Sequence, residues 1–180
     1  HNRGDEEQPL HILPTLWFRN TWSWQEDAPK PTLKTAKATD DYSVVEASHD
    51  ELGDFWLYCE GAPQRLFTEN ETNKKLLFGT DNSAPYVKDG INDYVVKGDK
   101  DTVNPDETGT KFSAQYQLFI PPGESRSVML RLCPKVDLAE PFGEEAIALF
   151  PKRKQEADAF YQSFAPEAMT EDERRVQRQA

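Results

Sequence analysis

A chain of 180 residues with 32 acidic and 21 basic side chains carries a formal charge of -11. A surface of that sign repels phosphate backbones and argues against a nucleic-acid partner. Its 10 Phe, 6 Tyr and 4 Trp exclude a disordered acidic tail, no apolar run of about 18 residues is present to span a membrane, and the length suits one domain with a short appendage.

In chain order, Asn2 to Gly4 reads as a tight turn, because Asn and Gly tolerate positive φ. A turn joins two strands, so the chain is expected to begin inside a longer protein. Residues 9–24 concentrate Leu10, Ile12, Leu13, Leu16, Trp17, Phe18, Trp22 and Trp24 and predict a long buried strand bent at Pro14. Residues 25–41 predict a surface loop with a short edge strand at 32–38. Val44 to Ala47 and Phe55 to Cys59 are strand-like, separated by a turn at 50–54 that holds Gly53. Leu66 to Thr68 is a further short strand. Residues 69–98 read as irregular: Glu69 to Asn73 and Asp81 to Pro85 are turn-forming, and Tyr86 to Tyr94 reads as a turn around Gly90 or a rigid loop offering polar groups. Residues 97–110 predict an exposed loop. Phe112 to Ile120 and Ser125 to Cys133, around Pro121-Pro-Gly-Glu124, predict an antiparallel hairpin.

Phe142 to Phe150 predicts a short helix, and Pro151 suits the first position of a second. Ala157, Phe160, Tyr161 and Phe164 supply that helix with an apolar stripe, and Pro166 ends it. Thr170 and Glu173 form a capping-box signature for a last helix expected to run to Ala180; it meets no Gly or Pro, a second sign of a longer protein. Residues 151–180 hold six basic and six acidic residues, so residues 1–150 carry the whole charge of -11.

Few residues carry reactive chemistry. Cys59 and Cys133 lie in strand-like runs and read as buried reduced thiols, with an unforced disulfide the alternative. His1, His11 and His49 lack metal-ligand spacing, and the acidic run from Asp99 to Glu107 lacks the glycine of a calcium loop; no metal or cofactor is expected. Glu69, Glu71, Asp89 and Asp93 could pair as glycosidase carboxylates, but acids are abundant throughout. Glycine-rich phosphate loops and nucleophile elbows are absent. Trp17 and Trp56 sit inside apolar runs and are expected in the core. Trp22 and Trp24 stand beside Arg19, Asn20, Thr21 and Ser23, a mixture that suits a sugar site or a domain interface. Asn70-Glu71-Thr72 also matches a glycosylation triplet.

Leu13-Pro-Thr-Leu-Trp-Phe-Arg-Asn-Thr-Trp-Ser-Trp24 resembles the N-terminal region of large bacterial proteins of glycoside hydrolase family 63. Leu57 to Gly61, Leu66 to Asn73, Tyr86 to Asn92, Gly109 to Lys111, Pro141 to Gly143, Glu156 to Asp158 with Phe160-Tyr161, and Asp172 to Arg174 with Arg178 to Ala180 continue the likeness in order. Such proteins resemble processing α-glucosidases. The resemblance implies a β-sandwich of the galactose-mutarotase-like super-sandwich type, then a helical linker, then an (α/α)6 barrel that holds the catalytic Asp and Glu. No position here matches those catalytic motifs.

The sequence therefore predicts a mainly β chain: an incomplete antiparallel β-sandwich over 1–140 and helical linker segments over 141–180. Its expected role is a non-catalytic part of a glycoside hydrolase. Its expected partners are the catalytic barrel of the same parent chain and an oligosaccharide, with no nucleic acid and no membrane. The candidate contact residues are Arg19, Asn20, Trp22, Glu69, Asn70, Asn73, Lys88, Asp89 and Asn92. A free-standing carbohydrate-binding module and a protein-interaction domain are the alternatives. No signal-peptide pattern opens the chain, so the cytoplasm is the expected compartment.

Overall fold

The computed structural model describes residues 1–166 and 168–179. They fall into two compact units, His1–Leu138 and Ala139–Ala180. Among the described residues the strands are β1 (Gln8–Ile12), β2 (Thr15–Trp17), β3 (Thr32–Ala38), β4 (Tyr42–His49), β5 (Gly53–Glu60), β6 (Gln64–Thr68), β7 (Thr108–Gly109), β8 (Lys111–Ile120) and β9 (Leu130–Cys133). The helices are α1 (Lys74–Phe78), α2 (Gly90–Lys97), α3 (Glu144–Phe164) and α4 (Glu171–Gln177), with a 3-10 turn at Lys100–Thr102. The chain is mainly β.

The strands of the first unit make two antiparallel sheets. In one, β8 is central, with β1 and β2 on one side and β6 on the other. In the other the order is β7-β3-β4-β5-β9. Alternation along β8 sends Phe112, Ala114 and Tyr116 to one face, where with Phe67 they meet Leu33, Val45, Ala47, Leu57 and Cys59 from the second sheet in one core. The Phe67 and Phe112 rings lie 4.9 Å apart within it. The opposite face of β6 carries Leu66, which packs with Ile91 of α2 and with Val103 in a second, smaller cluster.

β1 and β2 share one register on β8: Ile12 faces Tyr116 and Thr15 faces Ser113. They are one strand interrupted at Pro14, which has no N–H to give but whose carbonyl still accepts from Ala114 N at 3.1 Å. The strand expected over 9–24 is thus shorter and less buried. It stops at Trp17, it is an edge strand with one wet face, and Trp17 is 53% exposed rather than in the core.

The expected hairpin does not form. On the edge of β8 that β1 and β2 leave, β6 already holds Lys111–Gln115, the part that Leu130–Cys133 would face in a hairpin, so β9 pairs instead with the open edge of β5, placing Leu130 opposite Cys59 and Cys133 opposite Trp56. The turn at 121–124 exists, with Gly123 at φ 70°, but it carries the chain from one sheet to the other. Val128 and Leu130 still pack on the main core.

The segment read as irregular over 69–98 contains two short helices. Asn73 caps α1 by accepting from Leu76 N at 3.1 Å, and Gly79 ends it in the left-handed region. α2 begins at Gly90, where a turn was expected. Val103, expected in an exposed loop, is buried beneath α2. Helices of one or two turns lie below the length at which apolar periodicity separates them from loops.

In the second unit one helix, α3, replaces the two expected, and Pro151 sits inside it. The ring removes the bond that the Ile147 carbonyl would accept; Ile147 is exposed, and water can serve that carbonyl. α4 has its capping box, with Thr170 and Glu173 bonded reciprocally. It is assigned to Gln177, and Ala180, to which it was expected to run, lies outside the described residues.

Phe112 has no exposed surface and touches both layers of the core. Phe112→Ala is expected to destabilise the chain by about 3–5 kcal/mol, read as the shift in a denaturant midpoint.

Candidate functional site

Thr110 is the residue at which the chain passes from one sheet to the other, between β7 and β8, and it is 1% exposed. All its polar groups are used. Its N–H donates to Thr68 O at 3.1 Å and its carbonyl accepts from Phe18 N at 3.0 Å. Its hydroxyl donates to Glu69 Oε2 at 2.7 Å and accepts from Asn70 N at 2.7 Å. The preceding residue must be glycine: a Cβ on Gly109 would lie 2.4 Å from Thr68 O.

A polar network grows outward from this corner. Lys30 Nζ lies 3.0 Å from Glu69 Oε2 and 3.7 Å from Glu71 Oε1, and 5.8 Å from the centroid of the Trp22 ring. Trp22 Nε1 donates to Glu71 Oε1 at 3.2 Å, and Ser83 Oγ donates to Glu71 Oε2. Asn70 Nδ2 donates to Phe18 O at 2.8 Å, so the glycosylation triplet is folded into the frame. Burial pushes the Glu71 carboxyl up, but hydrogen bonds from Ser83 and Trp22 and the Lys30 charge outweigh it, and its pKa ends below the ordinary 4.5.

A second arm continues through Asn73, whose amide donates to Asp89 Oδ2 at 2.9 Å and whose oxygen accepts from Asn82 at 3.1 Å. Asp89 Oδ1 is buried without a hydrogen-bond partner. Lys88 N donates to Glu71 O at 3.1 Å, and Lys88 Nζ lies 3.3 Å from Thr72 Oγ1. Lys111 Nζ donates to Lys88 O at 2.9 Å; burial, and then the Lys88 charge, lower the Lys111 pKa from 10.5, against Asp89.

Six of the nine residues singled out in the sequence thus meet in one bonded region: Trp22, Glu69, Asn70, Asn73, Lys88 and Asp89. Arg19 and Asn20 lie on the adjoining loop, where Arg19 stacks over Trp24 at 5.3 Å and Asn20 Oδ1 accepts from Ser23 N at 3.2 Å. Asn92 lies outside the region; it is exposed on α2 and reaches Asp93 Oδ1 at 3.3 Å. Sequence reasoning missed Lys30 and Thr110. Lys30 had one available signal, its place between Pro29 and Pro31 in the loop that also carries Trp22 and Trp24.

Beside the network lies a cleft of about 830 Å³. Trp17, Arg19 and Trp24 stand on one wall, and the turn joining β4 to β5, His49 to Leu52, forms the other. Lys30 lines it as well and so belongs to both features. The Phe18 and His49 rings, both part of its lining, meet at 5.4 Å. His49 Nδ1 accepts from Glu51 N at 3.1 Å and from Leu52 N at 3.3 Å.

Across its whole length the chain aligns with the uncharacterized protein YMR196W of Saccharomyces cerevisiae, at 30% identity over 212 residues, and it spans 20% of that protein's length. No family model matches the chain, and no solved structure matches it.

Removing the Thr110 hydroxyl leaves Glu69 and the Asn70 amide short of a partner. Thr110→Val is expected to cost about 1–3 kcal/mol, with Thr110→Ser retaining most of it, both read by denaturant unfolding. Glu107 parallels Glu71: burial raises its carboxyl, while hydrogen bonds from Arg65 and the Arg65 charge bring it below 4.5. Depressed folded values stabilise the chain above the unfolded pKa, and that stabilisation is lost as pH falls through the folded one. The melting temperature is therefore expected to decline below the ordinary 4.5, with a shallower decline in Glu71→Gln.

Proposed function

We propose that this chain is the non-catalytic β-sandwich part of a glycoside hydrolase acting on α-glucosides or related sugars, of the galactose-mutarotase-like kind, with helical segments leading to an (α/α)6 catalytic barrel in the same parent chain. The observation that carries the reading is the bonded region around Thr110. The segments that resemble family 63, Leu13 to Trp24, Leu66 to Asn73, Tyr86 to Asn92 and Gly109 to Lys111, are dispersed in sequence yet are tied together there by Lys30, Glu69, Asn70 and Glu71. The two sheets that share a core, followed by a helical unit, accord with the same reading.

Glu69 and Glu71 serve the frame, since Thr110, Trp22, Ser83 and Lys30 engage their oxygens. A general acid needs a raised pKa near the working pH. Glu71 and Asp93 are shifted the other way, Glu71 as described and Asp93 by hydrogen bonds from Lys97 and Asn92. The role that fits is to hold loops rigid against the barrel and to shape the margin of its substrate cleft. Among the described residues no helix is long and apolar enough to cross a membrane. A cytoplasmic setting suits the two free cysteines, and burial pushes the Cys59 thiol up to about 12.

The test is an assay of the complete parent protein and of the 180-residue chain on aryl α-glucosides, aryl α-mannosides and the corresponding oligosaccharides. Hydrolysis by the parent and none by the short chain is expected. Trp22→Ala and Asp89→Asn in the parent are expected to lower its melting temperature or its turnover. A parent inert toward every α-linked substrate, or variants with unchanged stability and turnover, would overturn the proposal.

A further inference from the structure

The cleft beside the network has a composition of its own. Trp17 and Trp24 are 53% and 66% exposed. Single exposed aromatics are ordinary on a protein surface, but these two line the same cleft. Arg19 covers one face of Trp24, which leaves the other face for a ligand. Trp17 belongs to β2, and its backbone is fixed opposite Lys111. The strand thus preorganises the Trp17 backbone, which a ligand need not order.

The opposite wall supplies a donor of fixed identity. His49 Nδ1 accepts two backbone N–H groups from the turn that follows it. A nitrogen that accepts carries no proton, so the neutral ring holds its hydrogen on Nε2. Contact with Phe18, which packs on the main core, sets the ring's place. Asp50 and Glu51, next in the turn, also line the cleft and bring carboxylate acceptors.

Charge selects among ligands. The cleft balances Arg19 and Lys30 against Asp50 and Glu51, on a chain whose formal charge is -11. An anionic ligand would meet the carboxylates, and Lys30 is already engaged by Glu69 and Glu71. A protein partner would call for a wall depleted of charge at its centre, and both walls here are charged. Arg19 and Lys30 oppose a cationic ligand as Asp50 and Glu51 oppose an anionic one, and what remains is an uncharged ligand with apolar faces and many hydroxyls, able to donate and accept at once. The volume of about 830 Å³ lies within the roughly 300–1,000 Å³ of small-molecule sites.

We propose that this cleft binds a neutral oligosaccharide, with Trp17 and Trp24 against the C–H faces of successive sugar rings, His49 Nε2–H donating to a hydroxyl, and Asp50 and Glu51 accepting from others. This deepens the carbohydrate reading above and rests on it for the choice of probes. It adds a sugar contact that the chain makes by itself, apart from any barrel.

The 180-residue chain is titrated with maltotetraose and with α-1,2-mannotriose, by tryptophan fluorescence and by calorimetry. Saturable binding of at least one is expected. Trp24→Ala is expected to weaken it by roughly tenfold, the scale of one lost aromatic contact, and Trp24→Phe to restore much of it. Trp17→Ala is the independent second variant, with the same expected direction. No saturable signal with either sugar, or binding that survives both alanine variants, overturns the proposal. Neither outcome involves hydrolysis, so a parent protein inert toward glycosides would leave this result standing and would overturn the enzyme reading instead.

Discussion

The four hydrogen bonds of Thr110 are the constraint on which the rest of the first unit depends. A chain that leaves one sheet and enters another must turn a corner, and a buried corner exposes backbone groups to an apolar interior unless each finds a partner. Here Thr68, at the end of β6, takes the N–H, and Phe18, just past β2, supplies the donor for the carbonyl. The hydroxyl both donates and accepts, to Glu69 and from Asn70. One residue therefore registers strands of both sheets against the loop that follows β6. The close approach of Gly109 to Thr68 is the steric counterpart of the same demand.

A satisfied buried polar network contributes less to net stability than to uniqueness, since each bond replaces one to water while each missing bond leaves a costly orphan. Glu69 and Glu71 illustrate this. Alone, two carboxylates two residues apart would repel each other; with Lys30 near both, and with Trp22, Ser83 and Thr110 donating, they become the anchor of an otherwise irregular loop. The ion pairs are partly exposed and individually worth little. Their value lies in being joined to Thr110, which is not exposed.

Much of the fold was legible because it was local. β4, β5 and β6 announce themselves by β-branched and aromatic runs, Gly53 marks the turn between two of them with φ 74°, and the Thr170–Glu173 capping box follows from spacing alone. Partnership was not local. The alternation in 125–133 is equally good for pairing with β8 or with β5, and only the occupancy of Lys111–Gln115 by β6 decides. Trp17 looked buried because its neighbours are apolar, yet an edge strand of alternating faces sends it outward. For the site, loops with several polar groups were a usable signal: Trp22, Glu69, Asn70, Asn73, Lys88 and Asp89 do converge. Lys30 and Thr110 escaped because their roles arise from elements distant in sequence meeting at one corner.

The corner and the cleft are mechanically one object. The wall bearing Trp17 and Trp24 belongs to the chain that leaves the β8 sheet, and the wall bearing His49 belongs to a turn of the other sheet. Phe18 transmits the setting. Its backbone is held by Thr110 and Asn70, and its ring packs on the shared core and against His49. The acidic groups divide accordingly: Glu69 and Glu71 are consumed in fixing the loop, and Asp50 and Glu51 stay at the surface where a ligand can reach them. Rigidity and recognition thus draw on the same residue types, separated by burial.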